Sequence, residues 1–314
     1  MSEPRKIIID TDPGQDDAAA IMLALGSPEL DILGITTVAG NVPLARTSCN
    51  ARIILEFCSR TDVKVYAGAD KPIARPLITA EHVHGKTGLD GPELHEPQMP
   101  LEAQHAVDFI IEALRREPAG TVTLCTLGPL TNIALALEKA PDIADRVCEL
   151  VMMGGGFFEG GNITPAAEFN IYVDPEAADV VFHSGVPITQ VPLDVSHFML
   201  GNAERVERFR TLGNRTGVAT AEMLEFFERF DEAKYGWDGG PLHDPCVIAY
   251  LLKPELFQGK HVNVTIETQS DLTRGMTVVD WWGVTGRVKN VNYLRSGNDT
   301  GFFDLLFERL ATLA

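Results

Sequence analysis

The chain predicts an α/β fold: an open, mostly parallel sheet with helices on both faces and a small antiparallel addition near the C-terminus. Three observations lead there. Short apolar, β-branched segments alternate with longer helical patterns through most of the sequence. The opening strand shows no polar alternation, as a strand covered on both faces should not. Polar or Gly-rich residues gather directly after several strands, where open α/β sheets place their ligands.

In order, Lys6–Ile9 reads as a buried strand and Ala18–Leu25 as an apolar, Ala-rich helix. A strand at Ile32–Val38, a helix at Leu44–Cys58 and a short strand at Val63–Ala67 follow. Residues 68–100 hold many Pro, His and Gly without periodicity, and a loop of that length is usually functional or mobile. The alternation resumes with a helix at Ala103–Arg116, a strand at Thr121–Thr126, a helix near Leu130–Lys139 and a strand at Glu149–Met153. A helix at Pro175–Ser184 and a strand at Ile188–Leu193 complete it. Ala203–Tyr250 reads as mainly helical. Val262–Glu267, Met276–Trp281 and Val288–Tyr293 resemble the antiparallel addition, and an amphipathic helix runs from about Phe302 to Leu313. No linker, repeat or low-complexity tract divides the chain, so residues 1–314 are expected to form one domain.

Composition narrows the partners. With 314 residues, 45% of them hydrophobic and 22% charged, the chain has material for a sizeable core. A formal charge of −18 argues against neutralising nucleic-acid phosphates or docking on an anionic membrane. No apolar run approaches the roughly 20 residues that span a bilayer. Five cysteines, an odd number with no C-x-x-C pair, lie mostly in apolar segments and read as buried free thiols. The first strand follows Met1 with no signal-peptide pattern, and a reducing, cytoplasmic setting is the expectation.

The stretch richest in chemistry is Asp10-Thr-Asp-Pro-Gly-Gln-Asp-Asp17, which puts four carboxylates on one strand-to-helix turn. A capped helix start explains one or two of them; four repel unless a cation sits among them. Carboxylate and carbonyl donors without a Cys/His set point to calcium or magnesium rather than zinc. Such an ion acidifies water weakly, so hydrolysis would still need a carboxylate base beside it. Further polar or Gly-rich strand ends are Val38–Asn41, Thr126–Pro129 and Met153–Gly156. Glu168-Phe-Asn170 offers groups that could hold a polyol. His243-Asp244-Pro-Cys246 opens an apolar helix, and His82-Val-His84 lies in the long loop. Gly85-Lys-Thr87 lacks the glycine spacing and preceding strand of a phosphate loop.

Taken together, D-x-D-P-G-x-D-D, V-A-G-N, A-E-F-N and the late H-D-P-C resemble the nucleoside N-ribohydrolases of the inosine–uridine-preferring family, from about Lys6 to the end of the chain. The resemblance implies hydrolysis of the N-glycosidic bond of ribonucleosides to base and ribose, with calcium as cofactor and a homotetramer favoured over a dimer. It places Asp12 as general base and metal ligand, with Asp17, Asp244 and the carbonyl of Leu127 completing the ligands. Asp16, Asn41, Asn162, Glu168 and Asn170 match groups that hold the ribose, Met153 and Phe169 pack near it, and Asp10 orients its neighbours. His243 and His84 are the candidates to protonate the departing base, since imidazole ordinarily titrates near neutrality. Tyr235 matches an aromatic position of pyrimidine-preferring members, while Asp231 departs from the polar residue expected one turn earlier; uridine and cytidine are the expected substrates ahead of inosine. Two rival readings treat Asp10 as the nucleophile of a haloacid-dehalogenase-like phosphatase, or the chain as a non-catalytic calcium-dependent nucleoside- or sugar-binding protein. The first leaves the late motifs unexplained; the second predicts binding without turnover.

Overall fold

The computed structural model describes residues 3–313, leaving aside the side chain of Asp231. In chain order the elements are β1 (Arg5–Thr11), α1 (Gln15–Leu25), β2 (Leu30–Thr37), α2 (Leu44–Phe57), β3 (Val65–Ala67), α3 (Glu81–His84), α4 (Ala106–Arg116), β4 (Val122–Thr126) and α5 (Thr131–Lys139). Then come β5 (Val147–Met153), α6 (Phe169–Val173), α7 (Pro175–Phe182), β6 (Ile188–Val191), α8 (Leu193–Ser196), β7 (Leu200–Gly201), α9 (Ala203–Arg210), α10 (Arg215–Tyr235), β8 (Gly240–Pro241), α11 (Pro245–Leu252), β9 (Phe257–Ile266), β10 (Thr277–Asp280), β11 (Val291–Gly297) and α12 (Asp299–Leu310).

Nine strands join one sheet in the order β10-β9-β11-β6-β5-β4-β1-β2-β3. From β3 to β11 the neighbours are parallel. Only β9 runs against its neighbours β11 and β10. The antiparallel addition is therefore the far edge of the main sheet, and its last strand pairs parallel with β6. Two-residue β7 and β8 make a separate small ladder.

The chain moves outward from β1 through β2 to β3, then returns to β4 on the other side of β1. That reversal opens a crevice at the carboxyl ends of β1 and β4, the place where this architecture receives ligands. Both flanks are covered. One core cluster joins α1, α2, α10, α11 and α12 to the sheet; the other joins α4, α5 and α7 to its opposite face. All eleven residues of α1 are buried, which explains its Ala-rich composition: small side chains let it pack among four other helices.

Several boundaries differ from expectation for identifiable reasons. β9 begins at Phe257, because Gln258–His261 pair with β11 while remaining exposed, a strand without an apolar face to betray it. α12 begins at Asp299, its start set by Asn298, whose side chain accepts from Gly301 N at 3.1 Å. The long loop contains the single-turn α3, and Glu168 starts a five-residue helix, α6, too short for periodicity to reveal. All five cysteines are free; four are buried, and Cys148 is exposed. No helix among the described residues is long and apolar enough to cross a membrane.

Candidate active site

The carboxyl end of β1 and the first turn of α1 bring Asp10, Asp12, Asp16 and Asp17 together, all buried. Asp10 is tied into the scaffold: one oxygen accepts from Thr36 Oγ1 at 2.5 Å and Asn132 Nδ2 at 2.8 Å. Burial pushes its carboxyl up to about 7 against those two hydrogen bonds. Asp17 accepts from Thr11 Oγ1, from Gly14 N at 2.9 Å and from Asn41 Nδ2 at 3.2 Å.

Asp12 accepts Asn41 N at 2.7 Å through Oδ2, while its buried Oδ1 has no hydrogen-bond partner. A Cβ on Gly40 or Gly128 would strike this carboxylate, so the V-A-G-N and T-L-G-P strand ends use glycine to let the backbone close around it. Asp244 arrives from the start of α11. Oxygens of Asp16, Asp17 and Asp244 lie within 4.8 Å of one another.

This group carries strong self-repulsion. Burial, then the charge of Asp17, raises Asp12 well above the usual carboxylate range and Asp16 to about 8. Burial followed by the charges of Asp16, Asp17 and Asp12 does the same to Asp244. The charges acting most strongly here are other carboxylates, so the donor set and the orphaned Asp12 oxygen fit a hard divalent cation. The oxygen grouping includes Asp16, which the resemblance assigns to ribose.

The neighbouring wall comes from β4, β5 and α6. Glu168 caps α6, accepting Gly155 N at 2.9 Å and Asn170 N at 3.0 Å; burial nevertheless raises it to about 7. Asn170 Nδ2 donates to the Leu127 carbonyl at 2.7 Å and approaches Met153 Sδ at 3.4 Å. Leu127 O thus already accepts one hydrogen bond, with its second lone pair still available to a cation. Asn162 Oδ1 accepts Phe169 N at 2.9 Å, and Lys234 Nζ donates to the Asn162 carbonyl at 3.0 Å.

Opposite stand the aromatic groups. His84 ends α3 and stacks on Phe227 with ring centroids 5.4 Å apart. Tyr235 ends α10 and stacks on Trp237 at 4.5 Å. His243 Nδ1 lies 2.7 Å from Ser196 Oγ. Burial pushes His84 down to about 3 and His243 well below the ordinary histidine value. Burial thus favours the neutral ring at both positions, below the near-neutral titration of a free imidazole.

One cavity is lined by Asp16, Asn41, Leu127, Met153, Asn162 and Glu168, and also by Phe169, Asn170, Tyr235, His84, His243 and Asp244. Asp12 and Asp17 are not among the lining residues, and the oxygen grouping of Asp16, Asp17 and Asp244 does not include Asp12. Sequence reasoning missed Gln15, although it stands inside the opening motif. Gln15 Oε1 is 2.7 Å from His84 Nδ1, and its amide donates to the carbonyls of His84 and Asp90, pinning the long loop to α1. It also missed His197, Phe227 and Phe230, which line the cavity, and Trp237, which stacks on Tyr235. The strand-end rule could have pointed to the segment after β6, whose single-turn α8 His197 ends; the aromatic residues carry no local signal.

Comparison with known proteins fits this geometry. Residues 7–304 match the family model described as inosine-uridine preferring nucleoside hydrolase. The chain is 51% identical over 312 residues to the pyrimidine-specific ribonucleoside hydrolase RihA of Photobacterium profundum, covering 99% of each. It is 54% identical to an uncharacterised protein of Schizosaccharomyces pombe, covering 98% of this chain and 99% of that one. A purine-preferring ribonucleoside hydrolase from Gardnerella vaginalis superposes with a TM-score of 0.92 at 32% identity, covering 98% of both chains. With a site at the β1–β4 crevice and near-complete coverage, the chain belongs to the inosine-uridine preferring nucleoside hydrolase family and is a nucleoside hydrolase.

Proposed function

We propose that this enzyme is a calcium-dependent, pyrimidine-preferring ribonucleoside hydrolase acting on uridine and cytidine. The observation that carries the catalytic part is the unpartnered Oδ1 of buried Asp12 beside the Asp16–Asp17–Asp244 group. A base needs a free lone pair facing a place where water can be held. Asp12, Asp17, Asp244 and the Leu127 carbonyl are assigned to the ion, with Asp16 close enough to share it. Bound there, calcium would offset the carboxylate repulsion and fix oxygen ligands in a loose geometry.

Asp16, Asn41, Asn162, Glu168 and Asn170 are assigned to the ribose hydroxyls. Asp12 takes a proton from water as the water oxygen bonds to C1′. The C1′–N bond breaks with its electron pair going to the base, and carboxylates near C1′ favour the cation-like sugar. Met153 and Phe169 exclude water from the sugar face. His243 or His84 takes up a proton from solvent as negative charge grows on the departing base, and passes that proton to the base, returning to the neutral ring that burial favours.

The pyrimidine preference is supported by Tyr235 in the cavity wall and by the RihA relatives at about half identity. A homotetramer and a cytoplasmic setting are carried over from the family resemblance and from the free cysteines. The test incubates the protein with calcium and, separately, uridine, cytidine, inosine and adenosine, without phosphate. Stoichiometric base and ribose, fastest from the pyrimidines, is the expected result; inosine as the fastest substrate would overturn the preference.

A further inference from the structure

We infer that His197 reads the exocyclic edge of the base and, with Glu159 behind it, favours the amino group of cytidine over the carbonyl of uridine; this rests on the pyrimidine reading above. His197 follows α8, and its side chain, 9% exposed, lines the cavity. Its Nδ1 is sealed from solvent, has no hydrogen-bond partner, and stands 3.6 Å from Glu159 Oε2. The position of Glu159 is not accidental. Its backbone N–H donates to Asp194 Oδ1 at 2.6 Å, and the second Asp194 oxygen receives Phe157 N at 3.1 Å and the Tyr293 hydroxyl. One aspartate of α8 therefore fastens the loop carrying the carboxylate to the helix that carries the histidine.

A carboxylate beside Nδ1 favours the tautomer with its proton on that nitrogen. Burial lowers the affinity of His197 for a second proton, against the pull of Glu159, and keeps the ring neutral. Nε2, nearly opposite on the ring, then holds a lone pair. With Nδ1 sealed, the ring meets the cavity through its other atoms. Around it stand Trp237, edge-on at 4.8 Å, and His243 at 5.9 Å, whose own Nδ1 is engaged by Ser196. Trp237 also stacks on Tyr235, so His197 belongs to the base-facing wall rather than to the ribose-facing one. An acceptor in that wall matches the exocyclic N–H of cytosine; a uracil oxygen in its place would set two lone pairs against each other. One such hydrogen bond corresponds to about tenfold in specificity.

The experiment measures kcat/KM for cytidine, uridine and a nitrophenyl riboside, with calcium, in the parent, Glu159→Gln and His197→Phe. The parent is expected to favour cytidine over uridine by about tenfold. Glu159→Gln, at a partly exposed position, removes the charge that sets the tautomer and brings the ratio towards one. His197→Phe lowers cytidine turnover about tenfold more than that of the nitrophenyl riboside, which presents no amino group. A parent ratio near one, an unchanged ratio in both variants, or equal losses on all three substrates would overturn the role of His197. Failure of the pyrimidine reading looks different: the parent would hydrolyse inosine far faster than either pyrimidine, while the cytidine-to-uridine ratio still decides His197.

Discussion

The two walls of the cavity are built by different means. The acidic wall stands on the ends of β1, β2, β4 and β5 and on helix starts, and its side chains are buried and held by backbone amides, hydroxyls and glycine-cleared space. The wall proposed to face the base comes from α3, the C-terminal end of α10 and the segments around β7 and β8, where Lys234 is exposed and Tyr235 and Trp237 are half-buried. Rigid strand ends suit chemistry that tolerates little displacement of the reacting groups. Helix ends and loops suit specificity, because their side chains can change while the sheet stays fixed. On the proposed assignments, reaction and selection are carried by separable parts of the molecule.

Breaking the acidic wall has the largest expected effect. Asp12→Ala removes the free oxygen beside the carboxylate group, and turnover should fall by about 10³-fold or more on every nucleoside and on the nitrophenyl riboside. Circular dichroism and thermal unfolding would confirm the fold; near-normal turnover would remove Asp12 from the chemistry.

Metal and pH test the same wall through stability. Asp12, Asp16 and Asp244 have folded values raised above their unfolded ones, Asp16 to about 8, so the folded protein holds extra protons and loses stability as they leave. The buried histidines, lowered in the fold, act in the opposite sense, and their influence ends above about pH 6.5, their unfolded value. Between about pH 7 and 8, chelated protein should therefore weaken by about 1 kcal/mol per affected group. Calcium at 100 times its Kd should restore about 2.7 kcal/mol. Differential scanning calorimetry with and without chelator reads both; a metal-free protein that gains stability over this window contradicts the picture of uncompensated carboxylates.

Changes to the base-facing wall should instead alter ratios. Tyr235→Phe is expected to cut kcat/KM for uridine about tenfold more than for inosine, the value of one hydrogen bond. Equal losses would make the ring a packing element only. The mildest prediction crosses the two walls: Gln15→Ala releases α3 from α1, raising KM severalfold and speeding amide hydrogen exchange over residues 81–90, at a stability cost of about 1–3 kcal/mol. Unchanged exchange would show that other contacts hold the loop.

Much of the acidic wall could be read without coordinates, since Asp10 to Asp17 fall within eight residues and the remaining groups mark strand or helix ends. Strand periodicity and glycine placement likewise made the parallel sheet legible. The base-facing wall was legible only at Tyr235, His84 and His243. Phe227 and Phe230 look like the apolar stripe of any amphipathic helix, and nothing local distinguishes the side that meets a ligand. His197 stands 46 residues before His243 in the chain, yet their rings lie 5.9 Å apart.

By itself, then, the sequence determined the alternation of elements, the carboxylate cluster and the family. These are written in short-range patterns: backbone preference, hydrophobic period and charge spacing act over a few residues. Tertiary structure alone decided that the C-terminal strands extend the main sheet, that Gln15 anchors the His84 loop, that burial lowers the proton affinity of His84 and His243, and that Glu159 faces His197. The reason is physical: desolvation and contact depend on what distant segments cover, and proton affinity follows that enclosure rather than the identity of the side chain.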